Sequence, residues 1–146
     1  MEQNVYQYQY TVTWSDLDAN VHMRNTGYLD YAAQTRFLYL KESGFTPADF
    51  KAAGIGPIVF SEQIVYHKEL HFLENFSVMM QLGGISEDGA KFIMVNRFMK
   101  SDGRPAAEVI TRGAWFDLGA RRVKAPPQGL IDALVRLPRT ESFENF

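Results

Sequence analysis

The stretch from Asn25 to Ser43 constrains this chain more than any other. At helical spacing, Asp30, Gln34 and Lys41 fall on one narrow polar stripe. Tyr28, Leu29, Tyr31, Ala32, Phe37, Leu38 and Leu40 take up the rest of the circumference. A helix this apolar cannot lie on a surface and must be wrapped by other elements. Asn25 or Thr26 suits the N-cap, and Gly44 is a natural C-terminal stop. Leu29, Ala32, Phe37 and Leu40 are therefore expected in the core.

Strands supply the wrapping. Tyr6, Tyr8, Tyr10, Val12 and Trp14 alternate with Gln7, Gln9, Thr11 and Thr13, the period of a half-buried strand. A connection from Phe45 to Gly56 holds a short helix at Pro47–Ala53. Four runs of strand character follow, over Pro57–His67, Asn75–Ser86, Ala90–Lys100 and Arg104–Leu118. Glu87-Asp88-Gly89 and Ser101-Asp102-Gly103 are hairpin turns, so the last three runs pair antiparallel. Leu130, Leu134 and Leu137 mark a short helix, and Arg139–Phe146 reads as a loose tail. One long helix followed by consecutive strands implies an α+β domain spanning 1–146, an antiparallel sheet wrapped around a central helix. A single sheet cannot close around that helix. The remaining helix face or the sheet edge is expected to meet another copy, in a homodimer or homotetramer.

Composition removes several functions. The 146 residues contain no cysteine, so neither disulfides nor thiol chemistry is available. A formal net charge of -2 gives no reason to expect nucleic acid as a partner. No apolar run is long enough to span a membrane, and the first residues do not read as a signal peptide, so a cytoplasmic location is expected. There is no G-x-S-x-G, no P-loop and no dinucleotide fingerprint. His67 and His71 are four apart, but on an extended segment that separates them by about 13 Å. With no third ligand evident, no metal site is expected.

The chemistry-bearing residues collect just before the helix. Asp16, Asp18, Asn20, His22, Arg24 and Asn25 form a polar loop delivered onto a helix N-terminus. N–H groups there lack intrahelical partners and suit a carboxylate, a phosphate or a developing oxyanion. From local sequence alone, Asp18 is equally a turn residue or a functional acid. Asp16, beside the strand end at Trp14, suits a bond to the loop backbone.

Trp14-Ser15-Asp16-Leu17-Asp18-Ala19-Asn20, His22-Met23-Arg24-Asn25 and Tyr28 resemble the site motif of the hotdog-fold acyl-CoA thioesterases of the 4-hydroxybenzoyl-CoA thioesterase type. Lys68-Glu69-Leu70 is similar to a segment frequent after the second strand of that family. The resemblance implies a hotdog fold and hydrolysis of an acyl-CoA thioester. It places the acid on Asp18 and the backbone oxyanion donor at Asn25 or its neighbours. His22 and Tyr28 are then candidate substrate-binding residues, with loop positioning the competing role for His22. The chain departs from relatives that carry a carboxylate in mid-helix, since Ala33 and Gln34 stand there. Asp18 would activate a water as general base or attack directly to give a mixed anhydride. No metal or redox cofactor is implied, because coenzyme A is part of the substrate. A few of Lys68, Arg97, Lys100, Arg104, Arg121 and Arg122 would meet its phosphates. An acyl carrier protein thioesterase, or a non-catalytic acyl-binding protein on the same fold, remain the alternatives.

Overall fold

The computed structural model describes residues 6–146; residues 1–5, part of the segment read above as no signal peptide, lie outside the described residues. The chain runs β1 (Gln7–Thr11), a 3-10 turn at Trp14–Asp16, α1 (Asn25–Glu42), α2 (Pro47–Ala53), β2 (Ile55–Tyr66), β3 (Asn75–Ile85) and β4 (Lys91–Lys100). It continues through β5 (Pro105–Asp117), β6 (Arg122–Val123), α3 (Gln128–Val135) and β7 (Arg139–Asn145). The seven-stranded sheet has the order β1-β3-β4-β5-β2, with β6 beside β5 and β7 beside β3. Pairings along that order are antiparallel, and only β7 joins parallel. Gly89 and Gly103 close the two hairpins at φ of 77° and 87°, where a Cβ would be strained.

The sheet curls around α1, which lies across β3 and β5. Two apolar clusters fill the space between. One gathers Tyr28, Ala32, Phe76, Val78 and Phe98 around the start of α1. The other gathers Tyr39, Leu40, Met80, Trp115 and the inner face of α3 around its end. Along α1 the buried positions Tyr28, Ala32, Thr35 and Tyr39 recur every three or four residues, as one seam.

Three expectations need correction. Phe37 is not core: 45% of its surface is exposed, because β2 is the sheet edge and nothing among the described residues covers that flank of α1. Leu29 is only half-buried, while Ala32 and Leu40 are core as expected. The N-cap is Arg24, held extended by its N–H bond to the Asp16 carbonyl at 2.8 Å, so that Asn25 is already the first helical residue. Residues 139–146 are not a loose tail. β7 pairs with the far half of β3, beyond the reach of the short β1, and satisfies backbone groups there that would otherwise form an open edge. Among the described residues, no helix is long and apolar enough to cross a membrane.

Candidate active site

The loop from Asp16 to Arg24 is held as a short irregular ladder. Leu17 bridges Met23, His22 bridges His71, and the Met23 N–H donates to the Leu70 carbonyl at 2.9 Å. Val21 turns the loop at φ of 64°, an uncommon conformation for a β-branched residue. Val21 is thereby placed to donate its N–H to the Asp18 carbonyl, while the Asp18 N–H donates to the His22 carbonyl. Gly27 lets the loop rest on the first turn of α1, since a Cβ there would lie 3.0 Å from Met23 Cγ.

The two loop acids have different surroundings. Asp16 Oδ2 accepts from the Thr13 N–H at 2.8 Å, the Thr13 hydroxyl at 2.9 Å and the Tyr31 hydroxyl at 2.6 Å. Burial first, and then this carboxylate, push the Tyr31 hydroxyl pKa well up, so the phenol stays a donor. Asp16 thus ties strand end, turn and helix together. Asp18 is solvent-exposed. Its Oδ1 accepts from the N–H groups of Asn20 at 2.9 Å and His22 at 3.3 Å, and Oδ2 has no partner among the described residues.

Asp18 borders a cleft of about 480 Å³ together with His22, Tyr28, Tyr66, Lys68 and Glu69. The structure therefore brings together three of the four sequence candidates, Asp18, His22 and Tyr28. Asn25 is exposed on the first turn of α1 and does not line the cleft. Among the described residues the Asn25 and Thr26 N–H groups find no acceptor, whereas Gly27 turns back to the Arg24 carbonyl. Tyr28 is 2% exposed, with edge-to-face contacts to Tyr66 and Phe98. Burial, reinforced by Tyr66, pushes its hydroxyl up to about 12, which excludes it as a base near neutrality.

Tyr66 was not singled out by the sequence, and Lys68 and Glu69 were named only in the segment Lys68-Glu69-Leu70, with Lys68 also among the basic residues, and not as neighbours of Asp18. The signal available was the His67-to-Glu69 polar run at the end of a strand, whose partner only the fold supplies. Of the basic residues named above, Lys100 is committed to Glu74 at 2.7 Å, Arg104 to Asp102 at 2.8 Å, and Arg121 lies over the Phe116 ring. Lys68 borders the cleft. His71 does not approach a ligand partner through His67. It joins His22 and Glu69, with donor atoms of all three within 4.8 Å of one another. Two imidazoles and a carboxylate are ligand types a divalent transition metal accepts. The His22–Glu69 contact at 3.6 Å, with Glu69 65% exposed, is also an ordinary surface ion pair when His22 is protonated.

A sequence profile of the thioesterase-like superfamily matches residues 12–134. This chain belongs to that superfamily. The match runs from the end of β1 to α3 and so includes loop, helix and all the central strands. Among solved structures, the protein SAV2348 from Staphylococcus aureus, in complex with CoA, superposes with a TM-score of 0.84 at 18% identity, over 92% of this chain and 84% of that one. Slr0204 from Synechocystis, a 1,4-dihydroxy-2-naphthoyl-CoA thioesterase, gives 0.80 at 13% identity over 90% and 96% of the two chains. The gentisyl-coenzyme A thioesterase BH1999 gives 0.75 at 19% identity over 85% and 98%. Among curated protein sequences none matches this chain. At such identities the structural likeness speaks for the fold alone, which is the hotdog fold that the loop motif implied.

Proposed function

We propose that this thioesterase-like protein hydrolyses acyl-CoA thioesters, with Asp18 as the working carboxylate and the first turn of α1 as the oxyanion site. The observation that carries this reading is that the Asp18 cleft borders the same first helical turn whose N–H groups lack acceptors. Asp18 has an oxygen without a partner among the described residues, on a cleft that also touches Tyr28 in the first turn of α1. The Asn25 and Thr26 N–H groups that begin this turn find no acceptor among the described residues, although neither residue lines the cleft. A thioester carbonyl set against those N–H groups gains charge as it is attacked, and donors aimed at that charge lower the barrier. Asp18 takes the proton of the attacking water, the tetrahedral oxyanion collapses, and the C–S bond breaks to release free acid and coenzyme A thiolate. If Asp18 attacks directly, water instead hydrolyses the resulting anhydride. Lys68 at the cleft is placed for a phosphate of coenzyme A. His22 and Tyr28 shape the cleft around the thioester.

The test is release of thiol from a panel of acyl-CoAs by wild type and by Asp18→Asn. Hydrolysis that disappears in the variant supports the reading; equal rates in both proteins would end it. Label in the Asp18 carboxylate after a single turnover in heavy-oxygen water identifies direct attack, since the general-base route places label only in the released acid.

The active form is read as a homodimer or homotetramer. β2 is an open edge, and Val59 and Phe60 on it are 49% and 58% exposed, beside the uncovered Phe37. Such an apolar edge is covered in most soluble proteins. Sedimentation should show at least a dimer, and a fully active monomer would contradict this assembly.

A further inference from the structure

A second polar cluster lies on the seam between α1 and β2, deeper than the loop. Two side-chain contacts join α1 to β2 in antiparallel order, Tyr28 against Tyr66 at one end and Arg36 beside Glu62 farther along. Eight helical residues separate Tyr28 from Arg36, about 12 Å. Four strand residues separate Tyr66 from Glu62, about 13 Å. The two rulers agree, so the second cluster lies that far from the thioester end. Between them stand the small side chains of Ala32 and Ala33.

There a second pocket of about 300 Å³, which shares no lining residue with the Asp18 cleft, has apolar walls that include the buried Leu40, Met94 and Trp115 and the exposed Phe37 and Val59. Arg36, Glu62 and Thr111 are its charged and polar members. Arg36 keeps only 12% of its side chain exposed. Its Nη1 donates to the Thr111 hydroxyl at 3.1 Å and to Asn96 Oδ1 at 3.4 Å. Its Nη2 lies 3.9 Å from Glu62 Oε2, too far for a hydrogen bond. Among the described residues Nε and Nη2 have no acceptor. Burial lowers the guanidinium pKa and Glu62 offsets this only in part, as expected for a cation short of partners. Glu62 accepts the Thr111 hydroxyl at 3.1 Å on Oε2, and its Oε1 has no donor among the described residues. A guanidinium is always charged, so it cannot relieve this by losing a proton.

We infer that this pocket receives the distal part of an aliphatic acyl chain bearing a hydroxyl group, which bridges Arg36 and Glu62. The inference rests on the thioesterase reading for the direction from which the chain enters. A hydroxyl is the group that accepts from Nη2 and donates to the carboxylate at once. The 3.9 Å gap is too wide for a direct bond and narrow enough for one oxygen to serve both sides. A methyl end leaves both groups unpaired, and a carboxylate end meets the like charge of Glu62. The depth excludes a single hydroxylated ring on the thioester carbon, whose oxygen stops one ring diameter from the carbonyl.

The experiment compares octanoyl-, decanoyl- and dodecanoyl-CoA with their ω-hydroxy and ω-carboxy counterparts, in wild type, Arg36→Leu/Glu62→Leu and Glu62→Gln. Hydrolysis is read as kcat/KM, and binding is read by calorimetry with the non-hydrolysable thioether analogues. At the best length, wild type should favour the hydroxyl over the methyl end by about tenfold or more, because a site built to pair a hydroxyl rejects the analogue lacking it. The double variant should reverse that order. Glu62→Gln, which keeps volume, should bind the ω-carboxy chain that wild type rejects, an effect that a purely structural ion pair would not produce. A wild type that prefers the methyl end, or a preference unchanged in both variants, overturns the inference. If wild type hydrolyses none of the thioesters, the thioesterase reading fails, and the binding ratios of the thioether analogues still decide the pocket.

Discussion

The two polar clusters along α1 share residue types and differ in their surroundings. At the N-terminal end, Asp18 and Glu69 stand largely in water and His22 is half-buried. Farther along, Arg36, Glu62, Thr111 and Asn96 are held between helix and sheet, with Thr111 and Asn96 fully buried. A carboxylate in water is solvated whether or not it has a partner, so the fold can leave Asp18 Oδ2 free for chemistry. A charge between helix and sheet has no such freedom, and removing its partner leaves an expensive orphan. The exposed cluster is therefore expected to govern rate with little effect on stability. The buried one is expected to govern stability and selectivity.

The largest effect belongs to the exposed cluster. Asp18→Asn should lower kcat by about 10²–10⁴, the usual loss on removing a general base. Its melting temperature should stay near that of wild type, because the substitution keeps the loop bond to the Asn20 N–H. If unfolding rather than turnover suffers, the contrast between the clusters breaks. Next comes Arg36→Leu alone, which strands Glu62 and should cost about 3 kcal/mol in denaturant unfolding, toward the low end for a broken buried pair because Glu62 keeps some contact with water. Adding Glu62→Leu should recover most of that loss, to within about 1 kcal/mol of wild type. A single variant as stable as wild type would show that the Arg36 cluster is solvated after all.

Asp16→Asn sharpens the comparison within the loop itself. One Asp16 oxygen holds three donors from strand end and helix. The substitution should cost about 1–2 kcal/mol of stability and affect kcat far less than Asp18→Asn does. A folded but inactive Asp16→Asn beside an active Asp18→Asn would invert the roles. The smallest effect concerns Glu74, which burial alone would raise. The hydrogen bond from Lys100 and the His71 N–H outweigh burial and hold its pKa below the usual 4.5. Its contribution to stability is therefore fully present above about pH 4.5 and is lost as pH falls through the lower folded value. Acid unfolding of Lys100→Met should show a shallower slope in that window. An unchanged slope would assign the acid sensitivity to other carboxylates.

How legible each region was depended on the range of the interactions that build it. The first strand, expected over Tyr6–Trp14 and ending instead at Thr11 with the exposed Trp14 in a 3-10 turn, the helix at Asn25–Glu42, the short helix at Pro47–Ala53 and the two Asp-Gly hairpins follow from side-chain periodicity and turn chemistry within a few residues. Asp16 and Asp18 were legible as a pair because the loop motif is contiguous. Arg36 was visible in the sequence only as a charge on the helix, since its partners Glu62, Asn96 and Thr111 come from three different strands. Tyr66, Lys68 and Glu69 reached the Asp18 cleft through the bridge between His22 and His71, a pairing nearly fifty residues apart in the chain.

Phe37 and the last eight residues show the same division from the other side. An apolar side chain at helical spacing states that it will be buried if something packs against it. Whether a strand lies there is settled by sheet order, and β2 ends the sheet before it covers Phe37. Arg139–Asn145 carries little hydrophobic periodicity and so reads as a tail. Its strand state comes from backbone groups of β3 left open past the end of β1, and a backbone hydrogen bond carries no mark in the side chains. The sequence by itself determined the helix, the central strands and the acid-bearing loop, because those depend on neighbours along the chain. The tertiary structure alone decided which charges meet, which apolar face stays open and which far residues border Asp18, because those depend on neighbours in space.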